Sequence, residues 1–277
     1  MEIKDLSIVI TTFKSENKIY SCLDTLPKKI RIIVVENSNN EKFKKELNTK
    51  YPHVECILMG KNQGYSVANN FGLLQVKTKY ALVLNPDTKM DKDALTNFLN
   101  TAYTYPDFWL IGPGNGQSKA VKNNSKKVFE VDNLKGFAMF FNIDKFNNKF
   151  FDENYFLYFE EIDLCKNVKI NEGKIFLDTS IIIYHEGASS VDKKFKTELE
   201  KNRNWHWMWS TFYFHKKYKG FLTALIIIFP KLVSSLFKII FYFLIFNKRK
   251  KEIYLNRLSG IINSIAGNKS WYRPTID

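Results

Sequence analysis

Leu6–Thr12 reads LSIVITT, Ile30–Glu36 reads IRIIVVE, and Tyr80–Leu84 reads YALVL before running straight into Asn85-Pro86-Asp87. Short apolar, β-branched runs without polar alternation are the pattern of strands buried on both faces of a parallel sheet. Between the first two lies a helical stretch, Glu16–Leu26, closed by Pro27. Val54–Met59 is a third strand. Tyr65–Gln75 then places Val67, Ala68, Phe71 and Leu74 at helical spacing. Strand and helix alternate for about the first hundred residues, which predicts an α/β fold: a mostly parallel central sheet flanked by helices. Ligands of such sheets bind at the carboxyl ends of the strands. Thr11, Glu36 and Asp87 all fall there.

Further on, Phe108–Ile111, Gly136–Phe141 and Lys174–Tyr184 read as strands and Phe159–Lys169 as a helix. Gly112–Asn124, rich in Gly, Asn and Lys, is expected to be a mobile loop. With no internal repeat or low-complexity linker, residues 1–190 are expected to form one domain, with parts of about 1–110 and 111–190. Residues 191–277 differ in character: Trp205-His-Trp-Met-Trp209 is followed by the apolar Phe221–Phe246, the basic Lys248-Arg-Lys-Lys251 and a last helix, Glu252–Ala266.

At 277 residues the chain has room for one large domain and an appendage, and 45% hydrophobic with 25% charged residues is a globular composition. Cys22, Cys56 and Cys165 lie far apart with no paired spacing, so neither a disulfide framework nor a zinc site is expected, and a reducing compartment is. The charged start, Met1-Glu-Ile-Lys-Asp5, lacks the basic-then-apolar pattern of a secretory signal. The net charge of +14 is unevenly placed. Residues 1–190 hold 25 Lys and Arg against 23 Asp and Glu, whereas residues 191–277 hold 17 against 5. Basic charge beside a long apolar segment matches an anionic membrane surface better than nucleic acid, so no nucleic-acid partner is expected.

The polar residues that close these elements follow one order. Thr11-Thr12-Phe13 ends the first strand and Glu36-Asn37-Ser38 the second. Asn62-Gln63-Gly64-Tyr65 precedes the helix carrying Asn69, Asn70 and Gly72. Asn85-Pro86-Asp87-Thr88, the stretch FDENYFLYFEEIDL over 151–164 and His185-Glu-Gly-Ala-Ser-Ser190 complete the series. In that order the series resembles family 2 glycosyltransferases with a GT-A fold, especially their rhamnosyltransferase-like branch, over about residues 5–190. The resemblance implies inverting transfer of a sugar from a nucleoside-diphosphate donor, such as a dTDP-rhamnose-like or UDP-hexose donor. The acceptor would be a glycan or lipid-linked molecule in cell-surface polysaccharide synthesis, and residues 1–190 would be the catalytic domain, with a nucleotide-sugar half of about 1–110 and an acceptor half of about 111–190.

The resemblance also implies roles. Asp87 stands where the family's DXD-type motif holds a divalent cation, Mg2+ or Mn2+, which offsets charge on the departing diphosphate. Here that motif is reduced to Asn85-Pro86-Asp87, with Asn85 the poorer partner. Read alone, Asp87 serves equally as a helix cap. Glu36 matches the acid that accepts a hydrogen bond from the pyrimidine, where the family usually has Asp. Thr11 is expected to line the same nucleotide pocket, and Asn62, Gly64 and Asn69 to shape the loop and helix facing the donor. Glu161 matches the base that deprotonates the acceptor hydroxyl, in a Glu-Glu pair where the family has Glu-Asp. Glu160 and Asp163 share a helical face and are alternative acceptor-binding groups; carboxylates at a helix start also complement its dipole. His185 is assigned to the metal or the diphosphate.

Phe221–Phe246 has the length to cross a bilayer, but Pro230-Lys231 and Lys238 interrupt it. In-plane helices or a re-entrant hairpin are expected at the cytoplasmic face, with Trp205, Trp207 and Trp209 near the headgroups. A membrane span and a buried homodimer surface remain alternatives. The competing functional classes are a nucleotidyltransferase, disfavoured by the lack of an early glycine-rich basic loop, and a non-catalytic protein using only the basic tail.

Overall fold

All seven residues of β1 (Leu6–Thr12) are buried, as expected of a strand apolar on both faces. In the computed structural model, which describes residues 3–114, 127–185 and 196–273, the chain then alternates as its periodicity predicts. The elements are α1 (Glu16–Leu23), β2 (Arg31–Glu36), α2 (Glu41–Lys50), β3 (Val54–Leu58), α3 (Tyr65–Leu74) and β4 (Tyr80–Leu84). There follow β5 (Thr88–Met90), α4 (Ala94–Thr104), β6 (Phe108–Pro113), β7 (Val128–Glu130), β8 (Ala138–Asn142), α5 (Glu160–Ile170), β9 (Lys174–Asp178) and β10 (Ile183–His185).

Eight strands form one sheet in the order β3-β2-β1-β4-β8-β6-β9-β7. The first four are mutually parallel. β8 runs antiparallel to both neighbours, β6 and β9 are parallel, and β7 is antiparallel at the edge. Alternation along each strand divides the core between two faces. Ile8, Ile10, Ile32 and Val34 pack with α1, α2 and α4 through Ile19, Phe43 and Phe98. Val9, Ile33, Val35 and Val83 pack with α3 and α5 through Ala68, Leu73 and Leu164. Each such side chain contributes about 1.5–3 kcal/mol by leaving water. After β3 the chain crosses to the far side of β1, so the order reverses between β1 and β4, the position where such sheets open a crevice.

The expected strand Lys174–Tyr184 is two strands. The Asp178 carboxylate accepts from the Ser180 backbone N–H at 2.8 Å and from its hydroxyl at 2.7 Å, which turns the chain. β10 leaves the main sheet to pair antiparallel with β5. β6 also runs through Gly112 and Pro113, which the sequence assigns to a loop. The rest of that loop, 115–124, and residues 186–190 of the last motif lie outside the described residues. The sequence reading omits α2, α4, β5 and β7; α4 carries a helical period in Leu95, Phe98, Leu99 and Ala102, while α2 shows Phe43, Leu47 and the cap Asn40, whose side chain accepts from the Phe43 N–H at 3.0 Å.

The chain divides into two compact units, Met1–Asp152 with Glu161–Ser190, and Glu153–Glu160 with Val191–Asp277. The second holds α6 (Lys196–Lys219), α7 (Phe221–Leu244) and α8 (Lys248–Ile265). Met208, Phe212, Ala224, Ile228 and Ile261 form its core. Gly220, at φ +80°, makes the left-handed turn between α6 and α7.

Two sequence expectations are corrected in this unit. α7 continues through Pro230 instead of splitting: Ile228 before the proline and Leu232 after it pack into the same core, so the lost hydrogen bond interrupts the ladder without ending the helix. Trp205 and Trp209 are buried, because four-residue spacing puts them on one face of α6. Their indole N–H groups reach the Ser259 hydroxyl at 3.1 Å and the Asn268 carbonyl at 3.0 Å. Trp207 alone of the three is exposed. The last helix also begins earlier than expected, capped by the Asn247 side chain on the Lys250 N–H at 3.1 Å.

Candidate active site

Asn85, Pro86 and Asp87 leave the carboxyl end of β4 and are turned at once by the Thr88 hydroxyl, which donates to the Asn85 carbonyl at 2.7 Å. The short β5 that follows pairs Thr88 opposite His185 of β10. Two residues 98 positions apart in the chain therefore meet, with His185 Nε2 3.2 Å from Asp87 Oδ1. The Phe137 ring stacks on the imidazole, centroids 4.8 Å apart and planes within 8°, and fixes its orientation.

Asn85 is held in the same cluster. Its N–H donates to the Phe137 carbonyl at 2.8 Å. The Tyr65 hydroxyl lies 2.8 Å from the Gly136 carbonyl and 3.2 Å from Asn85 Oδ1. Gly136 is a close approach: a Cβ built on it would stand 3.3 Å from Glu161 Cβ. Glu161 lies in the first turn of α5 on that side. Burial pushes its carboxyl above the usual carboxylate range, and its Oε2 is buried with no hydrogen-bond partner. Asp163 is buried within the following turn, and Glu160 is buried at the end of the segment that belongs to the second unit.

The polar residues at the ends of β1 and β2 form a second cluster. Asn37 donates to Asn62 Oδ1 at 3.2 Å and to the Gly64 carbonyl at 3.0 Å, and accepts from the Gln63 N–H at 2.9 Å. Asn62 in turn accepts from the Gly64 N–H at 3.1 Å. Gly64, at φ +93°, is the residue that lets this loop turn into α3. The Thr11 hydroxyl donates to Asn69 Oδ1 at 3.0 Å, while the Asn69 amide donates to the Tyr65 carbonyl at 2.9 Å. Asn69 is thus fully engaged inside the fold and positions Thr11 and Tyr65.

Glu36 is 1% exposed. Burial pushes its carboxyl up to about 7, against the opposing hydrogen bond from the Ser38 hydroxyl. Its Oε2 is buried without a partner, as is the Thr12 hydroxyl. An orphaned buried acceptor is costly, on the order of 1–3 kcal/mol, unless a ligand satisfies it. β2 and β4 flank β1, so Glu36 and Asn85 stand about 10 Å apart across two strand spacings.

The sequence reading missed Tyr65 and Phe137 as site residues, and also Gly136 and Asn37. An isolated glycine just before an apolar strand, Gly136, was the available signal of a close backbone approach. Nothing in the sequence pairs Phe137 with His185.

The mostly parallel sheet flanked by helices is of the GT-A type. The chain belongs to glycosyl transferase family 2, whose family model matches residues 7–164. A curated relative is the "Low-salt glycan biosynthesis hexosyltransferase Agl10" of Haloferax volcanii, 24% identical over 203 residues, 62% of this chain. The chain spans 65% of that relative's length. Among solved structures the fold is similar to Staphylococcus aureus TarS 1–349, at TM-score 0.54 and 15% identity over 97% of this chain and 93% of that one. It is also similar to GalNAc-T7 solved with UDP, GalNAc and Mn2+, at TM-score 0.54 and 12% identity over 73% of this chain and 50% of that one. Family membership favours glycosyl transfer over the nucleotidyltransferase alternative.

Proposed function

We propose that this chain is an inverting glycosyltransferase of glycan biosynthesis, moving a hexosyl or deoxyhexosyl group from a nucleoside-diphosphate donor to a glycan or lipid-linked acceptor. The observation that carries this reading is the meeting of Asp87 with His185 at the end of β4, beside the Asn85–Tyr65–Gly136 links to Glu161. Glu36, about two strands away, receives the pyrimidine imide N–H on its unpartnered Oε2. Thr11, Asn62 and Gly64 shape the pocket between. Glu161 takes the proton of the acceptor hydroxyl, and its raised pKa makes it a stronger base than an exposed carboxylate.

The donor set fits a divalent cation. One carboxylate oxygen and one imidazole nitrogen lie together, and Mg2+ or Mn2+ is commonly held by one or two protein groups with substrate phosphates and water. Among the described residues no group of three or more His, Cys, Asp or Glu is placed to hold a metal ion, so the diphosphate itself would complete the shell. When bound, the cation stabilises negative charge on the departing diphosphate. Asp87 and His185 would hold it, with the imidazole kept in register by the Phe137 ring.

Asp87→Ala is expected to lower turnover of a sugar nucleotide by about a hundredfold or more and to abolish Mn2+-dependent thermal stabilisation by the donor, with the far-UV circular dichroism unchanged. Wild-type turnover and stabilisation in that variant would overturn the assignment.

The second unit is proposed to rest on an anionic membrane surface at its cytoplasmic side. Supporting this, Leu222, Ile226, Phe229, Phe237, Ile240 and Leu244 are exposed at three- and four-residue spacing on α7. Lys238, Lys250 and Lys251 lie over the Tyr254, Tyr242 and Phe243 rings at 5.0, 5.2 and 5.4 Å, an apolar face bordered by cations.

A further inference from the structure

The acidic side chains of α6–α8 are already occupied. Among the described residues 196–273 these are Glu198, Glu200 and Glu252. Lys201 pairs with Glu198 at 2.8 Å and with Glu252 at 2.7 Å, and Arg249 pairs with Glu200 at 2.5 Å. Two arginines of the same helices, Arg203 and Arg257, have no carboxylate partner among the described residues. Arg203 of α6 and Arg257 of α8 face an open cleft of about 300 Å3, lined also by Asn204, Trp207 and Tyr158.

This cleft is built rather than incidental. Arg257 donates to Asn204 Oδ1 at 2.9 Å, which fixes its guanidinium, while its Nε is buried with no hydrogen-bond partner. Burial holds Arg257 below the usual arginine range, as expected of a cation deprived of both water and a counter-ion. Tyr158 and Phe159 both adopt left-handed backbone, φ +69° and +70°. Each is braced by Trp207, at ring-centroid distances of 5.2 and 5.4 Å. Consecutive bulky residues in that region are strained and persist where the surroundings over-determine them. Here the strain aims Tyr158 at the cleft.

Two guanidinium forks between aromatic walls match a phosphate or diphosphate ester attached to an apolar or glycosyl group. We propose that this cleft binds the phosphate or diphosphate head of a lipid-linked acceptor. The proposal rests on the reading of the chain as a glycosyltransferase, and it names the acceptor chemistry. Tyr158 lies three residues before Glu161 in the chain, so acceptor binding and the proposed base share one short segment.

The test uses the full chain with geranyl diphosphate as a soluble probe, in parallel with vesicles of phosphatidylglycerol and phosphatidylcholine, a second source of phosphate esters. Wild-type protein is expected to bind geranyl diphosphate by calorimetry, and Arg203→Gln to weaken that binding about tenfold or more with donor affinity unchanged. Arg257→Lys, which keeps the charge and loses the fork, is expected to weaken it as well. Asp87→Ala is expected to leave geranyl diphosphate binding intact, which separates this cleft from the proposed catalytic cluster. No binding by the wild type, or wild-type affinity in both arginine variants, would overturn the proposal. Loss of vesicle binding in Arg203→Gln with geranyl diphosphate binding untouched would overturn the acceptor assignment in favour of a membrane headgroup.

Discussion

Glu36 shows how one residue type can be recognisable in sequence while its chemistry depends on its surroundings. A glutamate after a strand is ordinarily solvated and ionised at neutral pH. Here burial raises its pKa to about 7, and one oxygen is left without a donor. With the folded pKa above the unfolded one, protonation favours the fold: that contribution is complete in acid and is lost as pH rises through about 7. The ionised carboxylate costs about 3 kcal/mol in the absence of ligand. Glu36→Gln is therefore expected to raise the melting temperature of the unliganded protein more near pH 8 than near pH 5. Donor binding runs the other way, since an imide N–H favours the charged acceptor. The donor KM should fall as pH rises from about 6 to about 8 and should become flat in Glu36→Gln. A wild-type pH profile in that variant would remove Glu36 from the donor site.

Elements meet closely where glycines allow it. α3 crosses the sheet at Gly72, where a Cβ would stand 2.4 Å from Val9 Cγ1. α8 crosses α6 at Gly260, where a Cβ would stand 2.3 Å from the Trp205 carbonyl oxygen. The second is the stricter case, because a backbone atom cannot rotate away. Gly260→Ala is expected to separate α6 from α8 and cost roughly 1–3 kcal/mol, seen as a lower denaturation midpoint and a red-shifted, quenched emission from Trp205. Unchanged stability would show that the helix pair tolerates the shift. Catalytic strands were legible because they are apolar on both faces. α2, with only Phe43 and Leu47 buried in ten residues, leaves a weak trace, whereas α4 carries a helical period in Leu95, Phe98, Leu99 and Ala102 that the sequence reading passed over.

At the scale of the whole molecule, a nearly neutral first part is joined to a strongly basic one, with 17 Lys and Arg against 5 Asp and Glu after residue 190. The apolar face of α7 and its flanking lysines predict binding to anionic vesicles that weakens with salt. Phe237→Glu, at a position 69% exposed, is expected to release the protein from phosphatidylglycerol vesicles in co-sedimentation without altering its fold. Retained binding would sink the membrane reading. A salt-independent dimer buried through α7 would replace it with a protein interface.

The order of the motifs from Thr11 to His185 and the two-faced apolar strands lay open in the chain itself, because strand burial and turn chemistry are local properties. Charge asymmetry was legible for the same reason, since it requires only counting. The pairing of Asp87 with His185 came from the separate β5–β10 pair, and the stacking of Phe137 from β8 lying beside β4. Neither leaves a periodic trace. The buried fate of Trp205 and Trp209 and the continuity of α7 through Pro230 were likewise decided by helix packing, which outweighs local preference once enough apolar surface is covered. Sequence determined which residues stand at the strand ends; only tertiary structure determined which of them touch.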